Sequence, residues 1–360
     1  MTQLPWLHWL AMFVLTHVLI ALLAALAPRA GWMDRPGGHK HHQGEVPVIG
    51  GLAVLLAGLI VMLAIPDWSL KLRLTLLGMG LLGILGLLDD RFNMSARWRM
   101  LAQALIVFGV LWASGLSLHS VGALLPGLAP IQLAWFALPF SVFCLVGVIN
   151  AYNMVDGMDG LSGSLFVLIA GPLWFWLLYA KADPQLPTVL GLISIGMLAF
   201  LLWNWPFRWR IRRVFLGDAG TLPLGFLLGL VLVESSQTGF ELSPTSALWL
   251  LAWPLIDTVS VLLRRLLNGQ SAFSADQRHA HHLLLRAGFS VRETLLIAML
   301  VQLAAVAIAL FGLLHGAPDW LMAALFLIVA FSLHGLAIRV ERRGRLFDRV
   351  LLTRVGGDHV

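Results

Sequence analysis

The sequence predicts an all-α integral membrane protein of about eleven transmembrane helices, with an active site on its cytoplasmic face. Three observations predict it. The 360 residues are 59% hydrophobic and only 12% charged, against about 25% charged in a soluble domain. The mean hydropathy is +0.87. The apolar stretches approach about 20 residues and do not alternate in ten-residue segments, so they read as spanning helices and not as barrel strands.

The helices are expected at 6–27, 46–65, 72–89, 99–116, 133–149, 161–180, 187–203, 219–235, 246–264, 293–314 and 319–339. Basic residues orient them, because cytoplasmic loops are enriched in Lys and Arg. One set of loops carries Arg29, Arg35 and Lys40, then Arg91, Arg97 and Arg99, then Arg208, Arg210, Arg212 and Arg213, then Arg264, Arg265, Arg278, Arg286 and Arg292, and finally the arginines from Arg339 to Arg354. That face holds 21 of the 24 Lys and Arg; the other has only Lys71, Arg73 and Lys181. The N-terminus is therefore expected outside, in the periplasm, and the C-terminus in the cytoplasm. The segregation also supports the odd helix count, since one missed helix would scramble it.

No fixed-period repeat is visible, so residues 1–360 are read as a single polytopic domain. The loop at about 265–292 is too polar to span and is expected to hold a short helix over Ser274–Ala287, with Ser274 as N-cap. Met1 to Pro5 lack the basic start of a cleavable signal peptide. Cys144 is the single cysteine, which excludes an intrachain disulfide. The net charge of +6 has a topological explanation and does not indicate nucleic-acid binding.

Five acids lie where a membrane protein has few to spare. Asp89 and Asp90 end the third predicted helix. Asp156 and Asp159 lie in the run Asn150-Ala-Tyr-Asn153-Met-Val-Asp156-Gly-Met-Asp159-Gly, within the one inner loop devoid of Lys and Arg. Asp218 leads into the eighth helix in Phe215-Leu-Gly-Asp218-Ala-Gly-Thr221. All five fall on the cytoplasmic side. Each has a bland reading: a polar helix end for the pair, turn residues for Asp156 and Asp159, an N-cap for Asp218. Their convergence on one face is what favours function. Carboxylates of this kind suit a hard cation such as Mg2+, which is held by one or two of them plus phosphate oxygens. His279, His281 and His282 lie on the last long inner loop beside Arg278 and Arg286. Zinc would need about four ligands, normally with Cys or wider His spacing, which disfavours it here. Asp257, inside a predicted helix, reads as paired within the bundle. The pattern points to phosphate chemistry on a lipid at the membrane surface. A secondary transporter is the rival class, but transporters place charges at mid-membrane and show internal repeats.

These residues resemble the polyprenyl-phosphate N-acetylhexosamine-1-phosphate transferase family. The resemblance runs from His42-Gln-Gly-Glu-Val-Pro-Val-Ile-Gly-Gly51 through Leu88-Asp-Asp-Arg91, residues 150–160, Phe215 to Thr221, and Asp257 to Gly288. The stretch Phe273-Ser-Ala-Asp-Gln-Arg-His279-Ala-His281-His282 is most similar to the branch that uses UDP-GlcNAc, although Ala280 replaces the usual Ile. Thr221 stands where Ser is usual and keeps the hydroxyl. The resemblance implies transfer of GlcNAc-1-phosphate from UDP-GlcNAc to undecaprenyl phosphate, with UMP released. It implies an inner-membrane bacterial enzyme that starts a lipid-linked surface glycan such as O-antigen, with Mg2+ (or Mn2+) as cofactor and a homodimer as one possible state. The same reaction with another UDP-N-acetylhexosamine is the alternative. By the resemblance, Asp218 is a metal ligand, and Asn153 a metal or diphosphate contact. Asp89 and Asp90 position or deprotonate the lipid phosphate. Asp159 contacts the uracil and Asp156 supports that loop. Arg99 contacts substrate phosphate, Asn204 lies in the nucleotide-side loop, and His279 with Arg265, His281 and His282 meets the diphosphate or sugar.

Overall fold

The computed structural model describes residues 5–34, 44–206, 213–237, 242–271 and 278–355, with residue 5 and those from 343 on as backbone only. Arg35, Lys40, His42, Arg208, Arg210, Arg212, Phe273 and Ser274 lie outside the described residues, as do the side chains of the arginines after Arg342.

The described residues are mainly helical, and each expected helix has a counterpart. The helices are α1 (Pro5–Ala30), α2 (Gly50–Leu63), α3 (Leu70–Phe92), α4 (Ala96–Ser114), α5 (Ala137–Met154), α6 (Leu161–Tyr179), α7 (Gln185–Asn204), α8 (Asp218–Gln237), α9 (Pro244–Leu250), α10 (Ala252–Leu267), α11 (Ala280–Arg286), α12 (Val291–Leu314) and α13 (Asp319–Val355). By length and composition, 8 helices among the described residues can cross a membrane, and up to 9 if the bent pair α9–α10 counts as one span. Leu10, Leu63, Phe143, Phe175 and Phe331 are exposed on the outside of the bundle, as lipid-facing side chains must be. This is an all-α, multi-pass membrane protein.

Three expectations change in detail. The second helix is shorter at its start, because Val46–Pro47 form β2 and pair antiparallel with β1 (Met33–Asp34). The ninth is two helices, α9 and α10, meeting at 85°. The break is satisfied by one side chain. Gln302 of α12 donates from Nε2 to the Leu250 carbonyl at 2.9 Å and accepts from the Trp253 N–H at 3.0 Å. Freed backbone groups at membrane depth require such a partner. Among the described residues the inner-loop helix is α11, with His279 at its N-cap; the expected start at Ser274 lies outside them.

Helix α8 is the axis of the bundle, buried over 94% of its spanning window. Small residues let its neighbours approach. Gly51 of α2 meets the Gly220 backbone, and Gly86 of α3 meets the Asp218 carbonyl, with no room for a Cβ in either place. The strand segment before α2 braces the entry to α8 as well. Phe215 N–H donates to the Pro47 carbonyl, Gly50 N–H to the Phe215 carbonyl and Gly51 N–H to the Leu216 carbonyl, each at 2.9 Å.

At the opposite end, polar pairs tie helix ends and loops together. Lys71 reaches buried Glu234 at 2.8 Å. Asp319 accepts from Ser243, from Thr245 Oγ1 at 3.1 Å and from the Ala123 N–H at 3.0 Å.

Gly86→Val is expected to push α3 off α8, at an overpacking cost of about 1–3 kcal/mol. Gly80, on the same helix, faces open space, with nothing within 4 Å of where a Cβ would sit, so Gly80→Val should be near neutral. Melting curves of the two variants in detergent check the contrast.

Candidate active site

The ends of α3, α5 and α7 and the starts of α4 and α8 meet at one end of the bundle. Asp89 and Asp90 are adjacent, so on a helix they point about 100° apart. They consequently do different things. Asp90 faces the N-terminus of α8, where Oδ1 accepts from the Asp218 N–H at 3.0 Å and Oδ2 from the Ala219 N–H at 3.1 Å. A carboxylate in that place satisfies two orphan donors and suits the positive end of the helix dipole. Asp89 turns inward and is buried. It accepts from the Met94 N–H at 2.8 Å, which fixes the turn after Asn93, the left-handed C-cap of α3.

Arg99, from the first turn of α4, joins two of the acids. Its Nη1 pairs with Asp89 Oδ2 and lies 3.1 Å from Asp218 Oδ2. Asn153, in the last turn of α5, donates from Nδ2 to Asp218 Oδ1 and to Thr221 Oγ1, both at 2.7 Å. One turn deeper, Asn150 Nδ2 donates to Gln103 Oε1 at 2.6 Å. Asp89, Asp90, Arg99, Asn153 and Asp218 thus form one connected group.

The loop between α5 and α6 continues the site. Asp156 accepts from Ser162 Oγ at 2.5 Å and from the Gly217 N–H beside Asp218. Burial pushes its carboxyl up to about 7, with Asp90 and Asp159 adding repulsion and the hydrogen bonds only partly offsetting them. Asp159 is buried and takes the Arg213 fork, with Nη2 to Oδ1 at 3.0 Å and Nε to Oδ2 at 3.0 Å. The Arg213 guanidinium also sits 5.0 Å from the Phe215 ring centroid. Asn204 is a staple: Oδ1 accepts from the Gly160 N–H at 2.6 Å and Nδ2 donates to the Val214 carbonyl at 2.8 Å. It joins the two loops that carry Asp159 and Arg213.

The histidines form the remaining wall. His281 is buried and its ring packs directly on Gly157, so a side chain at 157 would strike Nε2. Among the described residues neither ring nitrogen of His281 has a hydrogen-bond partner, and burial pushes its pKa down to about 3. It stacks on His279 at 5.9 Å and lies 4.2 Å from the His282 ring. His279 Nδ1 is 2.9 Å from Asp257 Oδ2. Arg265 is buried at the C-terminal end of α10, one residue from Arg264.

Sequence reasoning missed Ser162 and Glu341 and named no partner for Arg213 or Arg264. A buried mid-helix acid such as Asp257 did signal a partner, and the partner is the histidine loop.

The donor set is fit for a hard cation. Asp218, Asn153 and Thr221 supply oxygens, and the Arg99 guanidinium already bridges Asp89 and Asp218. Among the described residues, no three His, Cys, Asp or Glu side chains form a ready-made metal cage. A cation held here would take its remaining ligands from substrate phosphate, the usual mode for Mg2+.

Fold and site together define a multi-pass membrane protein with a cluster of acids, an arginine and an asparagine at one end of its helices. Comparison with known proteins places it more closely. The family model for glycosyl transferase family 4 matches residues 72–236. A protein of Escherichia coli (strain K12) is 36% identical over 356 residues, covering 95% of this chain and 93% of its own length. One of Yersinia pestis is 35% identical over 343 residues, covering 94% and 92%. One of Haemophilus influenzae is 32% identical over 331 residues, covering 89% and 92%. Each is named undecaprenyl-phosphate alpha-N-acetylglucosaminyl 1-phosphate transferase. The chain belongs to glycosyl transferase family 4.

Asp159→Asn and Arg213→Ala should each destabilise the protein. The double variant should lose less than their sum, by about 0.5–3 kcal/mol of coupling, measured by denaturation in detergent. Asp156 carries a raised pKa, so its ionisation opposes folding. Stability should fall as pH rises from 3.8 through about 7 and level off above. Melting curves of Asp156→Asn should lack that component of the slope.

Proposed function

We propose that this protein transfers N-acetylglucosamine 1-phosphate from UDP-GlcNAc to undecaprenyl phosphate and releases UMP. The observation that carries the reading is the group around the α8 N-terminus. Three carboxylates, one arginine and one asparagine from four helices meet where a phosphate must be neutralised. The names of the relatives, aligned over nearly the whole chain, support the same transferred group and acceptor.

In this reading a lipid phosphate oxygen attacks the β-phosphorus of UDP-GlcNAc. A new P–O–P bond forms, the bridge to the α-phosphate breaks, and its electrons leave on UMP. Asp218 and Asn153 would hold Mg2+, or Mn2+ as a second choice. The metal would supply positive charge to neutralise phosphate oxygens when bound there. Arg99 contacts substrate phosphate. Asp159, held by Arg213, and Asn204 shape the uracil side, with Asp156 supporting the loop. His279, Arg265, His281 and His282 face the diphosphate and sugar.

Asp90 is better read as positional than as a base. Both its oxygens already hold backbone N–H groups of α8. A phosphate monoester has a second pKa near 6, so the acceptor is largely a competent dianion at neutral pH. Positioning and charge neutralisation then carry the rate.

The reading includes eleven passes, because successive helices deliver their ends alternately to the acid face and to the Asp319 face. It places the protein in a bacterial inner membrane as one polytopic unit, with the N-terminus periplasmic and the acids cytoplasmic. The product would begin a lipid-linked surface polysaccharide of the O-antigen kind.

The test is UMP release by purified protein with undecaprenyl phosphate, Mg2+ and UDP-GlcNAc, beside UDP-GalNAc and UDP-MurNAc-pentapeptide. Release with UDP-GlcNAc alone, abolished by EDTA and by Asp218→Asn, is expected. Release only with another nucleotide sugar would overturn the sugar, and no release with any would overturn the reaction. Asp90→Asn should lose activity by a similar factor from pH 6 to 9; recovery at high pH would restore the base role.

A further inference from the structure

The histidine loop is held by two buried side chains of α10 that the proposed reaction does not use. Asp257 and Arg264 are seven residues apart and lie on one face, two turns from each other. Both are buried, at 5% and 4% exposure, which is costly for charges unless every polar atom finds a partner. Asp257 spends both oxygens on the loop. Oδ2 meets His279 Nδ1 at 2.9 Å and Oδ1 accepts from the Ala280 N–H at 2.7 Å. Arg264 donates from Nη2 to the Arg278 carbonyl at 2.6 Å and from Nε to the Ser260 carbonyl at 3.2 Å. Its Nη1 pairs with Glu341 of α13 at 3.1 Å. Three consecutive residues, 278 to 280, are therefore pinned from one helix, with Glu341 behind the arginine.

The chemistry of this clamp is specific. An ionised carboxylate only accepts, and here it also receives a backbone N–H, so His279 must carry a proton on Nδ1. Stacking against His281 sets the ring plane, with 15° between the two rings. Nε2 is the one ring nitrogen left to meet a ligand. We propose that Asp257, together with the Arg264–Glu341 pair, is the positioning apparatus that sets the tautomer and orientation of His279, so that Nε2 is presented to the sugar-diphosphate side of the substrate. The substrate part of this statement rests on the proposed function; the tautomer part does not.

Asp257→Asn separates the effects. An amide has one acceptor oxygen for two N–H donors. The backbone N–H cannot change, so the amide nitrogen turns to His279 and forces its proton onto Nε2. The experiment uses the full-length protein labelled with 15N-histidine in detergent at pH 8.5, with His279→Gln identifying the His279 signals. Wild type should show the proton on Nδ1 and Asp257→Asn should show it on Nε2. In the UMP assay, kcat should fall by roughly ten- to a hundredfold, with the KM for undecaprenyl phosphate unchanged. Wild-type His279 protonated only on Nε2, or full activity in Asp257→Asn, would overturn the proposal. Should Asp257→Asn fail to fold, Glu341→Gln serves. It should lower kcat/KM for the nucleotide sugar several-fold and leave the lipid KM alone, and an unchanged kcat/KM would count against the clamp. If wild type releases no UMP, the functional reading fails, while the tautomer measurement still decides this one.

Discussion

The structure depends on how the N-terminus of α8 is received by its neighbours. A helix start packed against other helices leaves N–H groups that its own backbone cannot satisfy. Asp90 supplies the acceptors for two of them, with one oxygen each on Asp218 and Ala219. That is possible only because Gly86 lets α3 come against the Asp218 carbonyl and Gly51 lets α2 lie on Gly220. Once α8 is seated, Asp218 is in place, and Asn153 and Arg99 converge on its two oxygens. The polar group at the site is thus a consequence of close helix packing as much as of charge.

A second consequence concerns the loops. Among the described residues around the site, the main polar side chains each bridge separate pieces of chain. Asp156 joins the α5–α6 loop to Gly217, Asn204 joins Gly160 to Val214, and Arg213 joins the α8 entry to Asp159. Asp257 does the same for α10 and the histidine loop. Loops carry function but are ordinarily mobile; here each is tied to another loop or to a helix by buried or half-buried hydrogen bonds. Such ties give the positional accuracy that phosphoryl transfer needs.

Much of the fold was legible because hydropathy and the Arg and Lys segregation report directly on membrane passage. The departures have physical reasons. The apolar run 246–264 continues smoothly through the 85° break, and only Gln302, about fifty residues away, reveals how that break is satisfied. Val46–Pro47 are apolar enough to extend a helix, but they pair with Met33–Asp34. In the site, the residue set was legible and the division of labour was not. Asp89 and Asp90 are identical neighbours in sequence, and only helix geometry gives one to Arg99 and the other to α8. Likewise Arg213 is one of four nearby arginines, and nothing local marks it as the partner of Asp159. Asp257 was read correctly as paired, but a partner 22 residues on in the chain cannot be named from spacing.

The central claim is that the group around the α8 N-terminus binds a divalent cation together with substrate phosphate. Electron paramagnetic resonance of Mn2+ added to the purified protein with UDP-GlcNAc tests it most directly. The account predicts bound Mn2+ with 31P hyperfine coupling from the diphosphate, lost in Asp218→Asn and kept in Asp319→Asn at the opposite end of the bundle. Undiminished 31P-coupled Mn2+ in Asp218→Asn would contradict it.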